Sequence, residues 1–325
     1  MHTAHRARLM ALIALTALTS PSAFAQAYPV KTIKVVSPWA PGGAADSIIR
    51  PVAQKLSDLW GQPVVVENQA GASGMIGTAA VAKAPADGYT LLLSSLGPIA
   101  IAPALQSRMA YDSLRDFEPI TQLVSSTQVL VARQGLPAQN MRELVAYARA
   151  NPTKMSYGSN GASSTTHLGM EMLAQLAGIQ LLHVPYKGGA QVMTDLLGRQ
   201  IDLAILNIAA VVPHTESGKL RALAVSTAKR SSVLPALPTV AETLPGYDLN
   251  SWWGLSSPAG TPREIIRRLA TESANIMHSR EVEQRMKDAG LEVEASTPEQ
   301  FAAQIRKDLA AWADIVTKGG IRSGD

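Results

Sequence analysis

Short apolar runs of strand length alternate with helix-patterned segments along most of this chain, and that alternation restricts the fold more than any other feature. A β-type run over 33–36 precedes an amphipathic segment over 45–59, another over 64–67 precedes 75–82, and a third over 90–93 precedes a short helical piece before Leu105. After Gln122-Leu123-Val124 the pattern resumes with strands over 129–132, 155–157, 181–184 and 203–206, helices over 141–150, 166–177 and 191–197, and a strand over 222–225. Parallel neighbours need a crossover long enough for a helix, so this order predicts an α/β fold with parallel-sheet character. A Pro-rich passage (Pro235, Pro238, Pro245), a strand over 253–256 and a helical tail follow. In the tail, Thr261-Pro262-Arg263-Glu264 and Thr297-Pro298-Glu299-Gln300 read as helix starts with a Thr N-cap, Pro in the first turn and a glutamate placed to reach back. Phe301, Ile305, Leu309, Trp312 and Ile315 then form one apolar stripe, which is expected to pack as core.

The tail holds no strand-rich domain of its own, so it is expected to pack back onto the first half. The chain then crosses twice between two lobes, near 125–129 and 248–252. The predicted organisation is a signal peptide over 1–25, a first lobe from 26–126 plus 251–325, and a second lobe from 127–250. Ligands of open α/β sheets bind outside the carboxyl ends of the strands, here the cleft between lobes.

Two strand-to-helix junctions are suited to an anion. Ser37-Pro38-Trp39-Ala40-Pro41-Gly42-Gly43-Ala44-Ala45-Asp46 bares backbone N–H groups ahead of a helix, whose N-terminal partial positive charge favours a carboxylate or phosphate. Tyr157-Gly158-Ser159-Asn160-Gly161-Ala162-Ser163-Ser164-Thr165-Thr166-His167 repeats the arrangement. Neither loop contains Arg or Lys, so N–H and O–H donors must supply the affinity. The expected ligand contacts are Trp39, Pro41, Gly42, Gly43, Ala44, Ala45 and Asp46 in the first loop, and Ser159, Asn160, Ala162, Ser163, Ser164, Thr165 and His167 in the second. Gly43 is expected to need its freedom from a side chain, for the anion's approach and for any positive φ. Asp46 has two open roles, capping N–H groups at the helix start or orienting water or a polar group of the ligand. Trp39, inside a Gly/Pro-rich loop, is better explained as a pocket wall than as core. Trp252 and Trp253 point to opposite faces of a strand, so one is core and the other, Trp253, reaches the cleft. Ser94 and Ser95, Tyr186 and Lys187, and Asn207 complete the candidates at strand ends and the loops that follow them.

The N-terminus indicates the compartment. Arg6 and Arg8 precede an apolar run of about ten residues, Leu9 to Leu18, followed by Ala23-Phe24-Ala25. That run is well short of the roughly 20 residues of a membrane span. Cleavage is expected after Ala25 or after Ala27, which places the mature protein in the periplasm. Leu203 to Val212 is the next most apolar stretch, but it is short and interrupted by Asn207. The chain has no cysteine, which excludes disulfides, thiolate metal sites and cysteine nucleophiles. Its net charge is +4, carried by scattered residues and short pairs such as Lys229-Arg230, and no basic stripe interleaved with aromatics points to nucleic acid.

Enzymatic readings find little support. His167 follows a run of hydroxyl residues, but no Gly-x-Ser-x-Gly elbow exists, and a first-turn helix residue that hydrogen-bonds locally is the simpler reading. His183 and His214 share no metal-ligand spacing with it, so no metal is expected. Gly71-x-x-Gly74-x-x-Gly77 lacks the Gly-x-Gly of a dinucleotide site and is read as close loop packing, so no cofactor is expected.

In order along the chain, several segments resemble the periplasmic solute-binding proteins of tripartite tricarboxylate transporters, the Bug family. They are Pro38 to Asp46; Val65-Val66-Glu67-Asn68-Gln69-Ala70-Gly71-Ala72-Ser73-Gly74 with Ile76-Gly77; Asp87-Gly88-Tyr89-Thr90-Leu91-Leu92; and Asp116-Phe117-Glu118-Pro119-Ile120. Tyr157-Gly158-Ser159 with His167-Leu168, Val184-Pro185-Tyr186-Lys187-Gly188, and Trp252-Trp253-Gly254-Leu255 leading to Pro258-Ala259-Gly260-Thr261-Pro262 extend the match over essentially the whole mature chain. The resemblance implies a two-lobed type II periplasmic-binding-protein fold that closes on one small organic acid. It also implies that backbone amides and bridging water from the loops at 39–46 and 159–167 hold a carboxylate, and that the acid passes to the membrane subunits of a tripartite tricarboxylate transporter. Two departures bear on the ligand. Asn207 stands where members of the family often carry an acidic or aromatic residue, which removes a partner for an ammonium group. The hydroxyl run from Ser163 to Thr166 is richer than the usual glycine-rich version. A dicarboxylate, aliphatic or aromatic, suits these features. A ligand sensor acting on a membrane kinase would use the same pocket, and a periplasmic hydrolase would need a nucleophile, base and oxyanion hole that the sequence does not assemble.

Overall fold

The computed structural model describes residues 28–161, 164–186 and 188–319. The segment read as a signal peptide, with both cleavage positions, lies outside them, as do Ala162, Ser163 and Lys187. In chain order the strands are β1 (Ile33–Ser37), β2 (Val64–Asn68), β3 (Thr90–Ser95), β4 (Phe117–Ser126), β5 (Gln128–Arg133), β6 (Ser156–Ser159), β7 (Leu182–Pro185), β8 (Leu203–Asn207), β9 (Leu220–Val225), β10 (Ser251–Pro258) and β11 (Glu292–Val293). They build two sheets, ordered β11-β4-β10-β3-β1-β2 and β7-β6-β8-β5-β9. Within the first, β2, β1 and β3 are parallel, and β10 runs antiparallel to both β3 and β4. Within the second, β7, β6 and β8 are parallel while β5 opposes β8 and β9. This is the α/β, two-lobed architecture that the alternation predicts.

The pairing of β4 with β10 fixes where the lobes join. Ser126 and Ser251 are register partners, so the chain leaves the first sheet after Ser126 and re-enters it at Ser251 side by side. Ser226 ties the two connections together: its N–H donates to Gln128 O at 2.8 Å, its Oγ accepts from Gln128 N at 3.1 Å, and that hydroxyl donates to Leu249 O at 2.8 Å. Lys307 of the last helix reaches Asp248 of the second lobe at 2.9 Å, and Glu292 of β11 accepts from Thr127 Oγ1 and Ser231 Oγ.

Local chemistry explains most element bounds. The helix Ala44–Trp60 buries Ile48, Ile49, Val52 and Leu56 along one face, and each such side chain contributes about 1.5–3 kcal/mol relative to exposure. The last helix, Pro298–Gly319, buries Phe301, Ile305, Trp312 and Ile315, with Leu309 partly covered. It packs on β4, as expected of a tail returning to the first half. Phe301 meets Trp252 edge to face, ring centroids 5.1 Å apart, and Trp252 Nε1 donates to Asp308 at 2.8 Å. One apolar cluster runs from Phe117, Trp252 and Phe301 into Leu130, Tyr157 and Leu168 of the second lobe.

The structure departs from expectation in places. Thr261 does not cap its helix; Pro262 does, and the Thr261 hydroxyl donates to Pro258 O. At the other start Gln300, not Glu299, reaches back: Thr297 N donates to Gln300 Oε1 and Gln300 N to Thr297 Oγ1. The helix Ile208–Glu216 was hidden because its apolar first turn continues the apolar run of β8, and only Asn207, accepting from Ala209 N at 2.9 Å, marks the break. Among the described residues no helix is long and apolar enough to cross a membrane.

Candidate functional site

A cavity of about 460 Å³ lies between the lobes. The first lobe supplies Trp39, Ser73, Met75 and the helical piece at 97–106, and β10 adds Trp253. The connections supply Gln128 and Ser251, and the second lobe supplies Asn160, Ser164, Thr165 and Thr166. None of these lining residues is charged.

The second loop is built as a donor site. Thr165 opens the helix Thr165–Ala177, and Ser164 is its N-cap, accepting from His167 N at 3.2 Å. The N–H groups of the first helical turn have no acceptor within the helix, so those of Thr165 and Thr166 can meet an anion. Thr166 Oγ1 accepts from Asn160 N at 2.9 Å and lies 3.1 Å from Ser164 Oγ, which fixes the loop's shape. Behind it, Ser159 is buried. Its Oγ meets His183 Nε2 at 2.7 Å, donates to Gly161 O at 3.0 Å and accepts from Gly161 N. That Ser–His contact is sealed from the cavity, whose wall does not include Ser159.

The first loop is arranged differently from expectation. Only Trp39 reaches the cavity wall, whereas Pro41, Gly42, Gly43 and Ala44 are exposed and Ala45 and Asp46 are buried outside it. The Asp46 carboxylate turns back on its own loop, accepting from Gly42 N at 3.0 Å, Arg50 Nε at 2.9 Å and Asn68 Nδ2 at 2.8 Å. Burial acts to raise its pKa, but the hydrogen bonds from Asn68, Gly42 and Arg50 outweigh it and hold the carboxyl below the usual range. Asp46 thus serves the loop's shape, and Gly42 N–H is occupied. The left-handed backbone falls at Gly42 (φ +85), while Gly43 is at φ −87 with nothing closer than Ala40 O at 3.8 Å to an added Cβ.

Other expected contacts are engaged elsewhere. Ser94 is buried between strands, its hydroxyl donating to Gly254 O and 3.0 Å from Ser256 Oγ, and Ser95 beside it is also buried off the wall. Tyr186 donates its hydroxyl to Asp195 at 2.7 Å within its own lobe; burial, then that carboxylate, pushes the phenol up to about 12. Asn207 caps its helix. His167 is buried, stacked on His183 with ring centroids 4.0 Å apart, and is absent from the wall. Trp252 is core and Trp253 lines the cavity, as the strand's two faces predict. Sequence reasoning missed Ser73, Met75, the helical piece at 97–106, Gln128, Thr166 as a contact, and Ser251. Only Thr166 carried a local signal, as part of the hydroxyl run.

The stacked histidines make the second lobe acid-sensitive. Burial chiefly, then the neighbouring His167, pushes His183 down to about 4, against an opposing pull from Glu171. The fold therefore favours the neutral imidazole. The stability this gives is complete above the unfolded value near 6.5 and is lost as pH falls through about 4. Because His183 is only partly buried, we expect a loss of about 1–2 kcal/mol over that window, after allowance for solvent screening. Urea unfolding of wild type and His183→Gln across the same window checks this, and the variant should show a flatter pH dependence. An unchanged dependence would place the acid sensitivity elsewhere.

The sequence model of the tripartite tricarboxylate transporter family receptor (TctC) matches residues 48–321. The protein BugT of Bordetella pertussis is 36% identical over 320 residues, spanning 97% of this chain and 98% of its own length. Among solved structures, Rhodopseudomonas palustris MatC with bound malate superposes with a TM-score of 0.72 at 30% identity, covering 89% of this chain and 100% of that one. R. palustris Rpa4515 with adipate superposes with a TM-score of 0.76 at 34% identity, covering 91% and 99%.

Proposed function

Because this chain belongs to the tripartite tricarboxylate transporter receptor family, whose members are periplasmic solute-binding proteins, we propose that it captures a small organic carboxylate between its lobes and delivers it to the membrane subunits of such a transporter. The observation that carries the reading is the cavity between lobes, free of charged side chains and bounded by the N-terminus of the helix Thr165–Ala177. A carboxylate there accepts from backbone N–H and hydroxyl donors, each charge-assisted bond contributing roughly 1.5–3 kcal/mol. Structures of relatives with adipate and with malate support a carboxylate ligand.

The two moving bodies are residues 26–126 plus 251–325 and residues 127–250, rocking about the connections at Thr127 and Asn250. Trp39, Asn160, Ser164, Thr165 and Trp253 contact the acid, and the amides from Gly43 to Ala45 approach it as the cleft shuts. A thermal-shift and calorimetric screen of aliphatic, hydroxy, amino and aromatic acids tests the reading. At least one acid should raise the melting temperature and titrate with one site per chain; a panel in which none does so would refute it. Export follows from the N-terminal pattern, and the secreted protein should begin at Gln26 or Tyr28. N-terminal sequencing of the periplasmic fraction checks this, and an intact Met1 terminus retained in membranes would contradict it.

A further inference from the structure

Building on the carboxylate-binding reading, we propose that this chain selects an acid with one charged end and a flat, apolar body bearing a hydroxyl: a hydroxylated aromatic monocarboxylate. Three observations converge. First, the cavity offers one anion cradle. Thr165 and Thr166 are on its wall, whereas the first loop contributes only an indole and has Gly42 N–H committed to Asp46. With no Lys, Arg, Asp, Glu or His on the wall, a second carboxylate or an ammonium would be buried without a countercharge, which is strongly unfavourable.

Second, the rest of the wall is apolar and wide. Met75, Ile101, Ala102 and Leu105 line it together with the partly buried rings of Trp39 and Trp253. Aromatic faces favour a flat ring over a short polar chain.

Third, three side-chain atoms of these lining residues are buried and have no hydrogen-bond partner: Trp39 Nε1, Trp253 Nε1 and Gln128 Oε1. An indole N–H only donates and an amide oxygen only accepts. One ligand hydroxyl answers both kinds, since its oxygen accepts from an indole while its proton goes to Gln128. A ring without the hydroxyl leaves these groups unpaired, which is the arrangement by which a polar pocket rejects an analogue.

The test is a calorimetric series on the full mature chain with para-hydroxybenzoate, benzoate, adipate, malate and glutamate as probes. Para-hydroxybenzoate should bind tightest, benzoate about tenfold more weakly, and the other three weaker still. Gln128→Leu should bring para-hydroxybenzoate down to the level of benzoate while leaving benzoate within about threefold of wild type. Trp39→Ala should weaken both aromatic acids by about tenfold, with circular dichroism confirming the fold. Adipate or malate binding more tightly than either aromatic acid would overturn this inference and leave the carboxylate reading standing. Equal binding of benzoate and para-hydroxybenzoate by wild type would also overturn it. Failure of all five probes and of the broader acid screen would overturn both readings.

Discussion

Replacing Thr166 with valine is expected to weaken carboxylate binding by about one to two orders of magnitude while leaving the protein folded. Thr166 is 2% exposed, and its Oγ1 is the acceptor for Asn160 N–H at 2.9 Å and a neighbour of Ser164 Oγ at 3.1 Å. Valine keeps the volume and removes the oxygen. A buried donor left unsatisfied costs about 1–3 kcal/mol, and the loop can avoid that only by moving Asn160 away. Asn160 and Ser164 are both on the cavity wall, so either response disturbs the donors that meet the anion. Thr166→Ser keeps the acceptor and should bind close to wild type. Calorimetry on the two variants with any acid found in the screen decides the matter, and a valine variant that binds normally would show that loop shape is not set by this hydroxyl.

Gly254→Val is expected to be the most damaging single change in the first lobe. A Cβ at this position of β10 would stand 2.4 Å from Phe301 Cζ and 2.6 Å from the backbone oxygen of Thr121. Phe301 can shift only by disturbing its contact with Trp252, and Thr121 O can shift only by opening the β4–β10 pairing that carries both connections between lobes. Overpacking of this kind costs about 3 kcal/mol or more, equivalent to a melting temperature lower by on the order of ten degrees in a chain of this size. Gly43→Val is the matched control. With its nearest neighbour 3.8 Å away and an ordinary φ, it should melt like wild type, and any effect should appear in binding alone. Differential scanning calorimetry of both separates the cases; equal melting temperatures would contradict the packing argument.

The parts legible in the sequence are those set by local period and composition. Alternating strands and helices gave the α/β class, the lack of a separate strand set in the tail gave its return to the first sheet, and the period-two rule separated Trp252 from Trp253. The hydroxyl-rich loop was recognisable because the N-cap at Ser164 and the donors after it are chain neighbours. Residues whose role depends on distant partners were not legible. Gln128 and Ser251 read as ordinary strand residues, and they reach the cavity only because β4 and β10 exit side by side. Ser94 looked available until Gly254, 160 residues on, took its hydroxyl. Asp46 and Tyr186 were likewise claimed by Asn68 and Asp195, which no local pattern announces. The wall at 97–106 carries only apolar and small side chains, which have the same signature in a pocket as in a core.

The most direct test of capture between closing lobes is small-angle X-ray scattering on the mature chain, alone, with a binding acid and with that acid's methyl ester. Donors at the helix start Thr165–Ala177 and on the first lobe share one anion only when the cleft is shut, and a ligand shifts the open–closed equilibrium only through that difference in affinity. A smaller radius of gyration with the acid, and none of that compaction with the ester at the same concentration, is the expected result. Saturation by the acid without compaction, or equal compaction by the uncharged ester, would contradict it.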